Sequence, residues 1–191
     1  MSEILKAHFR KFIEIDDASF TLAVKFFRQI NVKKKETLLT EGHICRSNYF
    51  VANGCLRMFF IDEKGVEKTT QFALEHWWLA DYFSFQKQQP SQFNIQAVEK
   101  SEVWALDFPA QEKMLNEFPQ LERYFRLVHQ TAHAASQVRV RYAYDLSRED
   151  MYRYFRINFP DFIQRVPQYL LASYLDMTPE YLSELRARIV S

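Results

Sequence analysis

Glycine is almost missing from this chain of 191 residues: there are three, Gly42, Gly54 and Gly65, and none in the last 126 positions. Average usage would supply about thirteen. Without closely spaced glycines, neither a Walker-type nor a dinucleotide-type phosphate loop can be written. Collagen-like and flexible-linker sequences are excluded by the same scarcity. Cysteine is scarce too. Cys45 and Cys55 allow at most one disulfide and neither sits in a CxxC pair, so reduced, partly buried thiols are expected. An excess of one charge is also lacking: 25 Lys+Arg face 24 Asp+Glu, so no global field advertises a nucleic-acid or membrane partner. No apolar run approaches the ~18–20 residues that span a bilayer. The opening Met1-Ser2-Glu3-Ile4-Leu5-Lys6 lacks the apolar stretch of a secretory signal, and a cytoplasmic protein is expected.

Apolar residues make up 48% of the chain and aromatics 16%, enough for a real core. Residues 1 to about 30 read as helical. Leu5, Phe9, Phe12 and Ile13 share one face, and Phe20, Ala23, Val24, Phe27 and Ile30 continue at i, i+3, i+4 spacing. Asp16 or Asp17 is the expected N-cap of the second piece. From 31 to about 107 the pattern shifts to short β runs: Thr37–Leu39, Tyr49–Val51, Cys55–Ile61, Thr69–Ala73, Phe93–Val98 and Val103–Leu106. Their spacing predicts an antiparallel sandwich or barrel. Asn53-Gly54 reads as a type I′ hairpin turn, and residues 86–91 as a loop.

From Pro109 onward the chain reads as helix. Pro119 opens a long rod without a breaker until Ser147, on which Leu121, Phe125, Val128, Ala132 and Ala135 step 4-3-4-3 as an a/d seam. Small Ala at its centre suits close contact with an identical helix from a second copy; for its first half, packing of the same face on the chain's own β domain is the competing reading. Ser147-Arg148-Glu149-Asp150 resembles a capping box.

The stretch from Pro167 to Arg186 reads as two short helices around a tight turn. Pro167 suits N1 of the first. Thr178 caps the second, with Pro179 at N1 and Glu180 in its first turn. Ala172 is small where crossing helices approach, and Leu171, Leu175, Leu182 and Leu185 supply contacts between them. That is the pattern of a helix-turn-helix, whose second helix enters the DNA major groove; an ordinary αα-hairpin is the competing reading. Residues 137–191 hold eight basic and seven acidic side chains, a poor footprint for phosphate.

Other groupings carry less. His129 and His133 stand at i, i+4, a spacing that can bind zinc, but Gln130 replaces a metalloprotease glutamate and no further ligand is near. An interface or surface pair is expected, with no metal. No nucleophile has a base that can be placed beside it, so neither an enzyme nor a cofactor is expected.

The helical lead, β runs, long helix and terminal helix-turn-helix together resemble the Crp–Fnr family of bacterial transcription regulators, over about residues 20–190. Leu39-Thr40-Glu41-Gly42 and Tyr49–Arg57 resemble the family's opening hairpins, Gly65-Val66-Glu67 its following turn, and Ala172–Ser183 its helix-turn-helix. The resemblance implies an α+β fold: a double-stranded β-helix (β roll) like a cyclic-nucleotide-binding domain over 1–118, a dimerisation helix over 119–146, and a reduced DNA-binding domain over 147–191. It implies a homodimer joined through 121–142, palindromic DNA half-sites, and an unidentified small-molecule effector. DNA-contacting residues would be Thr178, Glu180, Tyr181, Ser183, Glu184, Arg186 and Arg188. Glu180 matches a position that accepts from cytosine N4, whereas Pro179 and Glu184 replace common arginines.

The family's phosphate cassette maps onto Ala80, Asp81, Ser91 and Gln92, with Ala80 for glycine, Asp81 for glutamate and Ser91 for arginine. Losing the guanidinium loses a charge-assisted contact to an anion, which weighs against cyclic AMP; an aromatic-lined cavity from Phe72 to Phe85 is expected to be filled. Asp176 replaces the turn glycine and tolerates a left-handed backbone. Little room remains between Phe159 and Pro167 for a β wing. The alternative to a regulator is a ligand-binding or protein-interaction module of the same fold that no longer binds DNA.

Overall fold

A computed structural model describes residues 2–190, with backbone alone at Ile189 and Val190. Two compact units emerge. The first contains residues up to 60 together with 71–130, and the second contains 61–70 together with residues from 131 onward. The units part inside the long helix.

The first unit is a β roll flanked by helices. Its helices are α1 (Ser2–Arg10), α2 (Asp17–Ala23), α3 (Tyr82–Lys87) and α4 (Phe108–Glu117), with the start of α5 (Gln120–Asp145). Its strands are β1 (Arg28–Val32), β2 (Thr37–Leu39), β3 (Ser47–Asn53), β4 (Leu56–Ile61), β5 (Glu67–Ala73), β6 (Trp78–Leu79), β7 (Asn94–Ala97) and β8 (Ser101–Asp107). They form two four-stranded sheets in the orders β1-β8-β3-β6 and β2-β7-β4-β5.

Between the sheets lie Leu39, Val51, Leu56, Leu79, Ile95, Val103 and Ala105. On the outer face of the first sheet a second core gathers α1, α2, α4 and the start of α5 around Phe50, Trp78, Trp104, Met114, Leu121 and Tyr124. β3 is therefore covered on both faces and buried from Ser47 to Ala52, which is why Tyr49 to Ala52 is a continuous apolar run rather than an alternation. The aromatic excess is concentrated in the outer core, where Phe9 and Tyr124 rings lie 4.3 Å apart and Phe50 pairs with Trp104 across the strands.

Three local expectations are corrected. The helical reading to about residue 30 runs too far, because β1 starts at Arg28 and pairs with β8 from Arg28↔Ala105 to Val32↔Ser101. Apolar spacing alone could not separate a short helix from the edge strand that follows. Asn53-Gly54 is not a hairpin turn: β3 and β4 belong to different sheets, and only Gly54 has positive φ, +102°. A Cβ there would collide with Ser101, so close approach rather than turn type requires the glycine. The loop around 86–91 overlaps α3, whose N-cap at Asp81 the aromatic run concealed.

The second unit contains the β4–β5 hairpin tip, α5 from residue 131, then α6 (Arg148–Asn158), α7 (Pro160–Arg165), α8 (Gln168–Tyr174) and α9 (Pro179–Val190). Ser147 caps α6, accepting from the Asp150 amide at 3.1 Å, as the capping box predicts. Proline ends α6 at Phe159 and opens α7, which fills the segment where a wing would stand; among the described residues no strand follows β8. Tyr152, Phe162, Ile163, Leu171, Leu182 and Leu185 are buried here. No helix among the described residues is long and apolar enough to cross a membrane.

Candidate functional site

Two places carry the predicted site residues, one in each unit. In the first unit, β6 runs into Ala80 and Asp81, and Asp81 caps α3. Its Oδ1 accepts from the amides of Phe83 and Ser84 at 3.1 and 3.2 Å, and its Oδ2 accepts from Ser91 Oγ at 2.7 Å. Ser84 Oγ in turn donates to Gln89 O and accepts from the Cys45 amide. Ala80, Asp81 and Ser91 are all buried, whereas Gln92 is exposed.

The structure thus brings Asp81 and Ser91 together and leaves Gln92 outside. The N-terminus of α3 faces the chain's own carboxylate. First-turn amides that could face a phosphate are spent on the Asp81 carboxylate, and a second negative charge beside it would be repelled in a low-dielectric setting. Beneath it, burial pushes the Cys45 thiol up to about 11, so it is an inert filler rather than a nucleophile. Cys45 and Cys55 are both buried and unbridged.

His129 packs edge-on against Tyr82 at 4.7 Å, and burial lowers its basicity. His133 is exposed. Among the described residues no group of three metal-ligating side chains exists.

In the second unit, α8 and α9 form the helix-turn-helix. The sequence expected Pro167 inside the first helix, but it stands one position earlier, as the N-cap of α8. Ala172 is fully buried, as are Leu171, Leu182 and Leu185. Thr178 Oγ1 accepts from the Tyr181 amide at 3.2 Å, and Asp176 adopts φ +52° in the turn, both as the sequence implied. Asp176 takes the left-handed conformation because its short side chain tolerates it.

With Leu182 and Leu185 facing inward, 100° per residue turns Glu180, Ser183, Glu184 and Ala187 outward. Tyr181 and Arg188 flank one side and Arg186 the other, where its guanidinium lies 3.4 Å from Gln168 Oε1. All the residues named from sequence on this helix are exposed, but the outward centre carries two carboxylates and the cations stand at its margins.

Sequence reasoning missed what surrounds the turn. Asp176 is gripped by Lys68 and Arg148, each at 2.8 Å, which hold its carboxyl below the usual range. Ser173 Oγ donates to Glu67 O at 2.7 Å and accepts from the Thr69 amide at 2.9 Å. Arg139 stacks on Tyr174 at 4.0 Å and donates to Thr70 O. These partners are separated by 28 to 108 positions, and no local pattern announces them. Also unannounced is Arg57 on β4, buried in the first unit, stacked on Phe59 at 3.9 Å and bonded to Gln96 Oε1 at 2.7 Å.

Residues 29–118 match the family model described as a cyclic nucleotide-binding domain. No curated protein matches the chain. Among solved structures, the chain is similar to the c-di-GMP responsive global regulator CLP of Xanthomonas campestris, at 11% identity over 91% of each chain with a TM-score of 0.73. It is similar to FixK2 of Bradyrhizobium japonicum at 13% identity, over 85% of this chain and 84% of that one, with a TM-score of 0.71. The catabolite activator protein of Thermus thermophilus matches at 16% identity over 94% and 85%, with a TM-score of 0.57. At these identities the likeness is one of fold.

Proposed function

We propose that this chain, built on the fold of the Crp–Fnr regulators, is a DNA-binding transcription regulator that acts as a homodimer. The observation that carries the reading is α8–turn–α9: a capped second helix, a left-handed turn residue, a leucine-packed interior and a solvent-exposed outer face on α9. In this reading α9 enters the major groove with Glu180, Tyr181 and Ser183 toward base edges. Arg186 and Arg188 reach phosphates, with Thr178 and Glu184 at the groove's edge, and half-sites lie about one helical turn apart. The cassette at Ala80, Asp81, Ser91 and Gln92 does not take cyclic AMP; its own carboxylate fills the anion's role.

The second copy is proposed to meet the exposed run of α5. Leu121, Phe125 and Val128 of the a/d seam are spent in the first unit's core, and in the second unit Arg139 and Tyr142 are occupied by Tyr174 and Tyr154. Exposed Val138, Val140 and Tyr144, with Ala132 and Ala135, remain for a partner helix.

Glu180 and Glu184 at the outward centre of α9 favour the second reading, an interaction module of this fold without DNA binding. Electrophoretic shifts with the DNA upstream of the protein's own coding region, at low salt, separate the two. The regulator reading requires a salt-sensitive shift that Arg186→Ala weakens by about tenfold, the loss of one charged contact. Absence of any shift, with Arg186→Ala behaving identically, favours the module.

A further inference from the structure

The outward face of α9 is built from hydrogen-bond acceptors. Glu180, Ser183 and Glu184 stand at its centre, all exposed, while Leu182 and Leu185 are fully buried behind them. The centre has no Arg, Lys, Asn or Gln, and the cations Arg186 and Arg188 lie at its margins. Glu180 has a reason to be there that needs no partner: it occupies the first turn, where the helix dipole favours a carboxylate. Glu184 has no such reason. It lies one turn further on, where the dipole no longer helps, and it repels Glu180 at i, i+4 spacing. Arg188 follows it at i+4 without forming an ion pair. Among the described residues neither glutamate carboxylate has an ion-pair or hydrogen-bond partner.

We propose that Glu184 is a base-reading residue, through which α9 selects an exocyclic amine, cytosine N4 or adenine N6, and excludes guanine at that position of the major groove. This rests on the DNA-binding reading above and carries Glu184 from the groove's edge to a base. In the major groove cytosine and adenine each present an amine, whereas guanine presents only the acceptors O6 and N7. An ionised carboxylate only accepts. It is satisfied by either amine, but against guanine it is left unpaired and desolvated, which is the costly outcome for a charged group. Glu184 projects from the same face as Glu180, four residues on, about 6 Å along the axis at 1.5 Å per residue. The rise per base pair is about 3.4 Å, so docking that brings Glu180 to one base edge brings Glu184 to another about two base pairs away. Ser183 between them can donate or accept and imposes no such rule. With guanidinium groups only at the margins, the cations of α9 serve the backbone and its carboxylates read the sequence.

Selection of binding sites from a pool of random duplex DNA at low salt, with the full-length protein, provides the test. The unaltered protein is expected to enrich cytosine or adenine at two positions about two base pairs apart in each half-site. Glu184→Gln presents an amide that pairs with adenine N6 and N7, and Glu184→Arg presents a fork that pairs with guanine O6 and N7. The first is expected to turn one of the two positions to adenine, and the second to turn the same position to guanine. Each preference should reach at least about fivefold, the low end for one good pair, with the Glu180 position unchanged. Both substitutions fall on an exposed position, and thermal melts confirm that each variant folds. Losing a negative charge also strengthens binding to every sequence, because phosphate repulsion falls. A uniform gain with no change of preference makes Glu184 a plain surface charge and overturns the proposal, as does guanine at the position it addresses in the unaltered protein's sites. Selected sites that neither Glu184 variant moves sink the proposal alone. If no form enriches any sequence or gives a salt-sensitive shift, the DNA-binding reading falls with it.

Discussion

Tyr124 is the residue on which the outer core turns. Its hydroxyl accepts from Trp78 Nε1 at 2.8 Å and is hydrogen-bonded to His8 Nδ1 at 2.7 Å. Burial, with Lys11 and His76 nearby, lowers the His8 pKa to about 4. Its value in the unfolded chain is near 6.5, so between these limits the unfolded state binds the extra proton. Stability is therefore fully present above about pH 6.5, falls as pH drops toward 4, and levels off below. Allowing for solvent screening at the edge of the core, the loss is about 2 kcal/mol. Denaturant melts between pH 4 and 7 check this, and His8→Gln is expected to flatten the slope. Asp81 makes the second residue-scale prediction. Asp81→Ala removes the cap of α3 and strands Ser91 Oγ, costing about 1–2 kcal/mol; an unchanged denaturation midpoint would contradict the closed cassette. Calorimetry with cyclic AMP is expected to show no binding to either form.

The helix-turn-helix shows how much of an element can be read locally. Thr178, Pro179, Glu180 and Asp176 are short-range signals, each acting on its own backbone within a few positions, and the structure places each in the role its chemistry suits. Leu185 is fully buried against α8, and Leu185→Ala is expected to cost about 2–4 kcal/mol and to abolish any DNA shift with it. Thr178→Ala is milder, near 1 kcal/mol, and thermal melts rank the two. The long helix was legible in length and in the seam that packs on the first core, but not in what covers residues 131–145. Val140→Asp with Tyr144→Asp is expected to leave the fold intact and convert a dimer to a monomer in sedimentation; an unchanged mass would move the dimer contact elsewhere. The elements that stayed hidden were β1, β6 and α3. β6 has two residues and α3 six, too short for any period to register.

At the scale of the whole molecule, charge limits how DNA could be held. In the regulator reading, Arg186 and Arg188 alone on α9 would give a dimer four phosphate contacts, and a salt slope of about −4 is expected at 0.9 per contact. A slope near zero would support the interaction module, and a much steeper one would mean that cations outside α9 take part. Sequence by itself determined the pieces that depend on neighbours in the chain: β runs between turns, the proline-bounded helices, and the capped second helix of the pair. Gly42, Gly54 and Gly65 all adopt positive φ, so the few glycines present do mark places where the backbone needs them. Tertiary structure alone decided the rest. It sent β3 and β4 to different sheets, turned Asp81 inward as a cap with Ser91 as its donor, and built residues 61–70 against Ser173 and Asp176. Those outcomes depend on which distant groups can satisfy a buried carboxylate, a strand edge or an exposed turn. That choice is made by packing, which local spacing does not encode.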